Sequence, residues 1–203
     1  MLANELTDLI KVYDDQLDED LCDEVIKFFN NKSQLHQRYD RDARPNFTQL
    51  NMTEYIGSGE CTEDEKIMHT ELTRVFMSAI SLYQIDCSIT DEIPSQWGLE
   101  QIRIKKYNQA TDCCDSDKID ASDQFKEHVD VGDHNSARRF IALFLYLNDT
   151  AGGGKTTFPY LNLNIEPKPG RILMFPPMWM YPHLGRPCFE TDKYIVGTYT
   201  HYL

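Results

Sequence analysis

The second half of the chain sets the tightest limit on what it can fold into. From about Gly98 it breaks into short segments rich in β-branched and aromatic residues: QIRIKKY, RRFIALFLYLN, LNLNIEP, GRILMFP and KYIVGTYTHYL. Turn clusters such as AGGGK and EPKPG separate them. Gly and Pro there end a strand and let the chain reverse. Several short strands at regular spacing predict an all-β barrel or a double-sheet jelly roll.

The first 98 residues read differently. Leu17, Leu21, Val25 and Phe28 fall on one face of a helix predicted from about Asp18 to Asn31. A longer helix is predicted from Thr62, where Thr62 and Glu65 form a capping box that satisfies two free backbone N–H groups. Ile67, Leu72, Val75, Phe76, Ala79, Ile80 and Tyr83 supply its apolar stripe, which predicts a packing face. Between the helices, the polar stretch Lys32 to Glu60 has room for one strand near Phe47 to Met52. A connection this long reads as a lid or binding loop, to which Arg38, Arg41 and Arg44 would contribute. The expected fold is mainly β with N-terminal helices: a double-stranded β-helix (jelly-roll) barrel over residues 99–203, supported by a mainly helical segment over 1–98, in one domain.

With 203 residues and 41% hydrophobic content, the chain can bury a core without staples. Its six cysteines contain no CxxC pair, so they are expected to be mostly reduced thiols rather than a zinc ribbon. A net charge of −13 makes the chain a poor match for a phosphate backbone, so no nucleic-acid partner is expected. No run reaches membrane-span length, and MLANELTDLI lacks the pattern of a signal peptide. The expectation is a cytoplasmic protein with no membrane partner. The acidic, cysteine-containing insert Asn108 to Gln124 interrupts the β-rich half where a loop could hang over a site mouth.

The chemistry concentrates in FKEHVDV. Residues two apart in a strand point to the same face, so His128 and Asp130 present an imidazole and a carboxylate side by side. His183, in MYPHLG, is the candidate third ligand. Two histidines and one carboxylate make the facial triad suited to non-haem Fe(II), with open positions for other ligands. Lys193, ten residues beyond His183, could reach into a barrel and pair with the distal carboxylate of a small dicarboxylic acid. His134 is the best substitute ligand; His36, His69 and His201 sit in less suitable places.

The stretch from about Gln101 to Tyr202 resembles the catalytic core of prolyl 4-hydroxylase-type Fe(II)/2-oxoglutarate-dependent dioxygenases. The matching pieces run in family order: IKKY, HVD, RRFIALFLYLND, GGKTTFP, IEPKPGRILMF, PHLGRP and KYIVGTY. The resemblance implies that His128, Asp130 and His183 hold iron and that Lys193 binds the far carboxylate of 2-oxoglutarate. It implies that Tyr107, Tyr146 and Thr156 line the cosubstrate pocket and that Arg139 faces substrate. The insert before HVD is longer than usual, Lys155 replaces a common acidic residue, Ala142 a common threonine and Tyr199 a common tryptophan. These departures leave the iron chemistry intact and the substrate open.

The implied reaction is hydroxylation of an unactivated C–H by O₂, with 2-oxoglutarate released as succinate and CO₂ and with ascorbate as reductant. A peptidyl proline in a peptide or protein is the leading substrate. A free amino acid or other small molecule is the alternative. Asp130 favours hydroxylation over halogenation, because halogenating relatives carry a small residue there. Two further readings use the same ligands without oxidation: a metal-binding barrel and a zinc hydrolase. Pro176, Pro177, Trp179 and Tyr181 are candidates for an apolar wall beside His183.

Overall fold

The computed structural model describes residues 5–40, 45–110 and 122–203. The elements in chain order are β1 (Lys11–Tyr13), α1 (Glu19–Asn31), β2 (Gln37–Asp40), β3 (Asn46–Asn51), α2 (Met52–Ser58), α3 (Glu63–Cys87), β4 (Trp97–Leu99) and β5 (Arg103–Tyr107). The second half adds β6 (Phe125–His128), β7 (Arg139–Tyr146), β8 (Thr156–Phe158), β9 (Leu163–Ile165), β10 (Ile172–Phe175), β11 (His183–Gly185) and β12 (Lys193–Tyr202). Arg41, Arg44, Cys113, Cys114 and most of the acidic insert lie outside the described residues.

The strands form two antiparallel sheets. The larger runs β1-β10-β7-β12-β5-β3-β2, with β4 also paired to β12; the smaller runs β6-β11-β8-β9. This is the expected jelly-roll barrel. Period-two alternation sorts the long strands between two apolar layers. In β7, Ile141, Leu143 and Leu145 join the helices, while Ala142, Phe144 and Tyr146 face the barrel interior. In β12, Tyr194 and Val196 face the helices and Ile195 and Tyr199 the interior. Lys193 shares the parity of Ile195 and is therefore drawn inside. Gly197 falls on the same side; a Cβ there would stand 3.3 Å from Phe144 Cδ1, so its absence lets the Phe144 ring lie across β12.

Helix α3 starts as its sequence predicts. The Thr62 hydroxyl accepts from Glu65 N at 3.3 Å, and the Glu65 carboxylate accepts from Thr62 N at 2.8 Å. The stripe from Leu72 to Tyr83 is buried against the large sheet, and burying each large aliphatic or aromatic chain contributes about 1.5–3 kcal/mol. Ile67, by contrast, is 54% exposed, a turn too early to reach the sheet. Two hydroxyls tie the helical layer to its neighbours: Tyr83 Oη donates to Leu9 O at 2.7 Å, and Tyr194 Oη to Asn30 Oδ1 at 3.1 Å.

The first half also supplies strands. The polar stretch expected to hold one strand near Phe47 to Met52 has that strand, β3, and adds β2 as its hairpin partner and the short helix α2. The β3 segment NFTQLN buries Phe47 and Gln49 on one side and Leu50 on the other, which fixes its register on β5. Strand β1, too short to show a periodic signal, closes the other edge of the sheet on β10. The four described cysteines, Cys22, Cys61, Cys87 and Cys188, are free thiols. Among the described residues, no helix is long and apolar enough to cross a membrane.

Candidate active site

Strands β6 and β11 of the small sheet pair so that His183 stands directly opposite His128. Asp130 follows β6 by two residues. The three side chains form the one group among the described residues that could hold a metal, with their ligand atoms all within 4.8 Å of one another. His128 Nδ1 lies 2.8 Å from Lys126 O, and His183 Nδ1 lies 3.1 Å from Tyr181 O. A carbonyl only accepts, so each Nδ1 carries a hydrogen and Nε2 is the atom each ring can offer to a metal. Both Nε2 atoms point at the carboxylate, 3.5 and 3.6 Å from its two oxygens.

The Asp130 side chain is only 4% exposed. Burial alone would raise its pKa, but the His183 and His128 imidazoles and the Lys105 ammonium outweigh it and hold the carboxyl well below the usual range. Burial pushes His183 down to about 4, partly offset by Asp130, so its ring is neutral at neutral pH. Tyr199 Oη donates to Asp130 Oδ1 at 2.9 Å. The other oxygen, Oδ2, is buried and has no hydrogen-bond partner. An orphaned anionic oxygen is costly unless it binds a cation. Two imidazoles that present Nε2 and one such carboxylate fit a divalent iron ion.

These groups open into a cavity between the sheets, about 430 Å³ including its open mouth. Tyr107, Tyr146, Thr156 and Lys193 line it as well, so all four residues expected at a cosubstrate pocket meet there. Lys193 is 2% exposed and its Nζ donates to Gly154 O at 2.8 Å. That carbonyl is placed by a turn only glycine allows: Gly154 has φ +70°, and a Cβ would lie 2.5 Å from Thr150 Oγ1. Burial pushes the Lys193 ammonium down to about 8, with Cys188 opposing the shift. Tyr146 Oη and Thr156 Oγ1 share a hydrogen bond at 2.7 Å, and the Lys193 ammonium sits 4.6 Å from the Tyr107 ring centre.

Arg139 lies at the rim of an outer groove continuous with this cavity. Its guanidinium is gripped by both Glu100 oxygens at 2.7 and 2.9 Å, donates to Asp130 O at 3.0 Å and lies 4.1 Å over the Tyr199 ring. It thus braces the Asp130 backbone and the Tyr199 ring. The apolar wall comes from Phe125, Phe144, Ile195 and Tyr199. The four residues expected to form it do not line the cavity: Trp179 is 74% exposed, and Tyr181 is buried with its hydroxyl on Leu6 O. His134 is exposed and outside the cluster. His36 stacks on Phe29, and His69 pairs with Thr53.

Residues 117–201 match the family model for the 2OG-Fe(II) oxygenase superfamily, a span that holds His128, Asp130, His183 and Lys193. The segment that carries the site is thus similar to a 2OG-Fe(II) oxygenase domain. A protein of Acanthamoeba polyphaga mimivirus named "Putative prolyl 4-hydroxylase" is 30% identical to this chain over 121 residues, 55% of this chain and 43% of its own length. The chain therefore spans less than half the length of that relative. A viral collagen prolyl hydroxylase from Paramecium Bursaria Chlorella virus-1 superposes with a TM-score of 0.70 at 17% identity, over 96% of this chain and 97% of its own. A prolyl hydroxylase from Trichoplax adhaerens, solved with a hypoxia inducible factor peptide fragment, gives 0.69 at 14% identity, over 97% and 84%. A Pseudomonas putida prolyl-4-hydroxylase gives 0.64 at 15% identity, over the full length of both chains. At these identities the solved structures establish the fold.

Proposed function

We propose that this oxygenase hydroxylates a peptidyl proline, using Fe(II), 2-oxoglutarate and O₂, with ascorbate as reductant. The observation that carries the reading is that one cavity gathers a two-histidine, one-carboxylate cluster with an orphaned buried oxygen and, beside it, a buried lysine. A zinc hydrolase or an inert metal barrel has no use for that lysine. The prolyl hydroxylases among the relatives support proline as the target.

In this reading His128, Asp130 and His183 hold the iron, which supplies O₂ activation coupled to decarboxylation of 2-oxoglutarate to succinate and CO₂. The chain does the rest. The two backbone carbonyls behind the histidines fix the tautomer that offers Nε2 to metal. Tyr199 fixes the carboxylate's rotation through Oδ1 and leaves Oδ2 for the metal. Lys193, aimed by Gly154 O, receives the far carboxylate of 2-oxoglutarate, and the Tyr146–Thr156 hydroxyl pair gives it polar company. Phe125, Phe144 and Ile195 keep bulk water from the reacting face. The groove between the β2–β3 hairpin and the Asp130–Ser136 segment is where a peptide would lie.

The test is mass spectrometry of proline-rich peptides incubated with the protein, Fe(II), 2-oxoglutarate and ascorbate, with a double variant, His128→Ala with Asp130→Ala, as control. One added oxygen on proline, absent from the control, supports the proposal. Succinate above control without modified proline moves the substrate to another class. Neither product from iron-loaded protein overturns the oxygenase reading.

A further inference from the structure

Beyond its charge near Asp130, Lys105 has no part in the chemistry above, yet it lines both of the spaces that matter. Strand parity puts it there. Tyr107 faces the barrel interior, so Lys105, two residues earlier in β5, faces the same way. It lines both the metal cavity and the outer groove.

Among the described residues its ammonium makes no hydrogen bond and no ion pair. Its close neighbours are aromatic: the ring centres of Phe47 at 5.1 Å and Phe144 at 6.0 Å. The groove's other cations are engaged. Arg139 is held by Glu100, while Arg103 donates to the Gln101 side chain at 2.7 Å with Glu100 at 4.0 Å. The groove's acids are engaged too: Asp130 belongs to the metal cluster, and Asp133 accepts from Ser136 N and Oγ. Lys105 is therefore a positive charge in a partly dehydrated wall, with Asp130 near but no contacting anion among the described residues. Burial pushes it down to about 8, with Asp130 opposing the shift. Rings on one side favour a cation but supply no acceptor, so a partner on the cavity side must bring one.

We infer that Lys105 is the substrate-recognition residue of the groove, and that the substrate presents a carboxylate close to the carbon that is hydroxylated. The inference rests on the oxygenase reading and narrows its substrate class. A single ammonium balances the single charge of a carboxylate, and a charge-assisted hydrogen bond away from bulk water is stronger than a neutral one. Two sources share this chemistry: an acidic side chain flanking the target residue in a peptide, and the α-carboxylate of a free amino acid. In the oxygenase reading Lys193 answers the far carboxylate of 2-oxoglutarate, so Lys105 is left for substrate.

The experiment uses protein loaded with Fe(II) and 2-oxoglutarate under anaerobic conditions, with the uptake of both followed by calorimetry. Two probe pairs are then presented. One pair is a set of proline-containing peptides with Glu or Asp at flanking positions against the same set with Gln or Asn. The other is free L-proline against L-prolinamide. The expected result is binding of the acid member at least tenfold tighter than its amide in one pair, and the pair that shows it identifies the source. Lys105→Gln should abolish that preference and Lys105→Arg should keep it, with the affinity for 2-oxoglutarate changed less than twofold. Failure of wild type to prefer the acid in either pair, a preference that survives Lys105→Gln, or a weakened 2-oxoglutarate affinity in Lys105→Gln overturns the inference and leaves the oxygenase reading standing. Failure of wild type to take up Fe(II) and 2-oxoglutarate at all overturns both.

Discussion

Replacing Lys193 by methionine separates a lysine kept for a ligand from one kept for the fold. The side chain is 2% exposed, and burial lowers its pKa from 10.5 to about 8. At neutral pH it is charged in the folded and unfolded chain alike, so the folded state carries a penalty of about 3 kcal/mol, from about 1.4 kcal/mol per unit of displacement. Methionine removes that penalty but leaves Gly154 O without its donor, which costs about 1–3 kcal/mol. The ligand-free variant should therefore be as stable as wild type or up to about 2 kcal/mol more stable. Binding of 2-oxoglutarate should behave in the opposite way. Truncating one side of a buried charge pair costs about 2–5 kcal/mol, a fall in affinity of at least about thirtyfold. Urea denaturation of the metal-free protein and anaerobic calorimetry of the Fe(II)-loaded protein read the two effects. A variant destabilised by 3 kcal/mol or more, or one that binds 2-oxoglutarate as tightly as wild type, would refute the reasoning.

The same residue predicts a pH dependence. A folded-state pKa below the unfolded one means the penalty is full below about pH 8 and fades as pH rises toward 10.5. The stability gap between Lys193→Met and wild type should thus close by about 2 kcal/mol between pH 7 and 9.5, measured by urea denaturation at each pH. Tyr199→Phe removes the hydrogen bond to Asp130 Oδ1 and should weaken metal affinity by about tenfold while the fold survives; calorimetric titration with Mn(II) as a redox-inert probe checks it. Thr62→Ala deletes half of the capping box and should cost about 1 kcal/mol in thermal unfolding, with metal affinity unchanged.

The sequence made the barrel legible because its long strands carry strong signals. Strands β7, β10 and β12 are runs of β-branched and aromatic residues closed by Gly- or Pro-containing turns. The Thr62–Glu65 box marked the start of α3 to the residue. Strands β1 and β2 were not legible: they span three and four residues, too few to establish a period, and β2 is mostly exposed and polar. Their place comes from partners distant in sequence. The same holds at the site. Spacing brings His128 next to Asp130, but only the pairing of β6 with β11 sets His183 opposite His128. Lys105 hid in the dipeptide Lys105–Lys106, which reads as surface charge. Counting back two residues from Tyr107 would have turned it inward. Tyr199 stood out in sequence only as a substituted tryptophan; its hydroxyl on Asp130 depends on β12 passing beside β7 and below the small sheet. Prolines and aromatics close to His183 in sequence suggested a wall that the fold turns elsewhere, because the segment before β11 packs Tyr181 toward Leu6 and leaves Trp179 in solvent.

The central claim is that iron and 2-oxoglutarate meet in this one cavity. Anaerobic titration of the Fe(II)-loaded protein with 2-oxoglutarate, followed by visible absorption, tests it most directly. Chelation of the cosubstrate to iron should give a metal-to-ligand charge-transfer band that saturates at one equivalent, is lost in His183→Ala and needs far more ligand in Lys193→Met. Iron uptake with no such band, or a band unaffected by either substitution, would contradict the account.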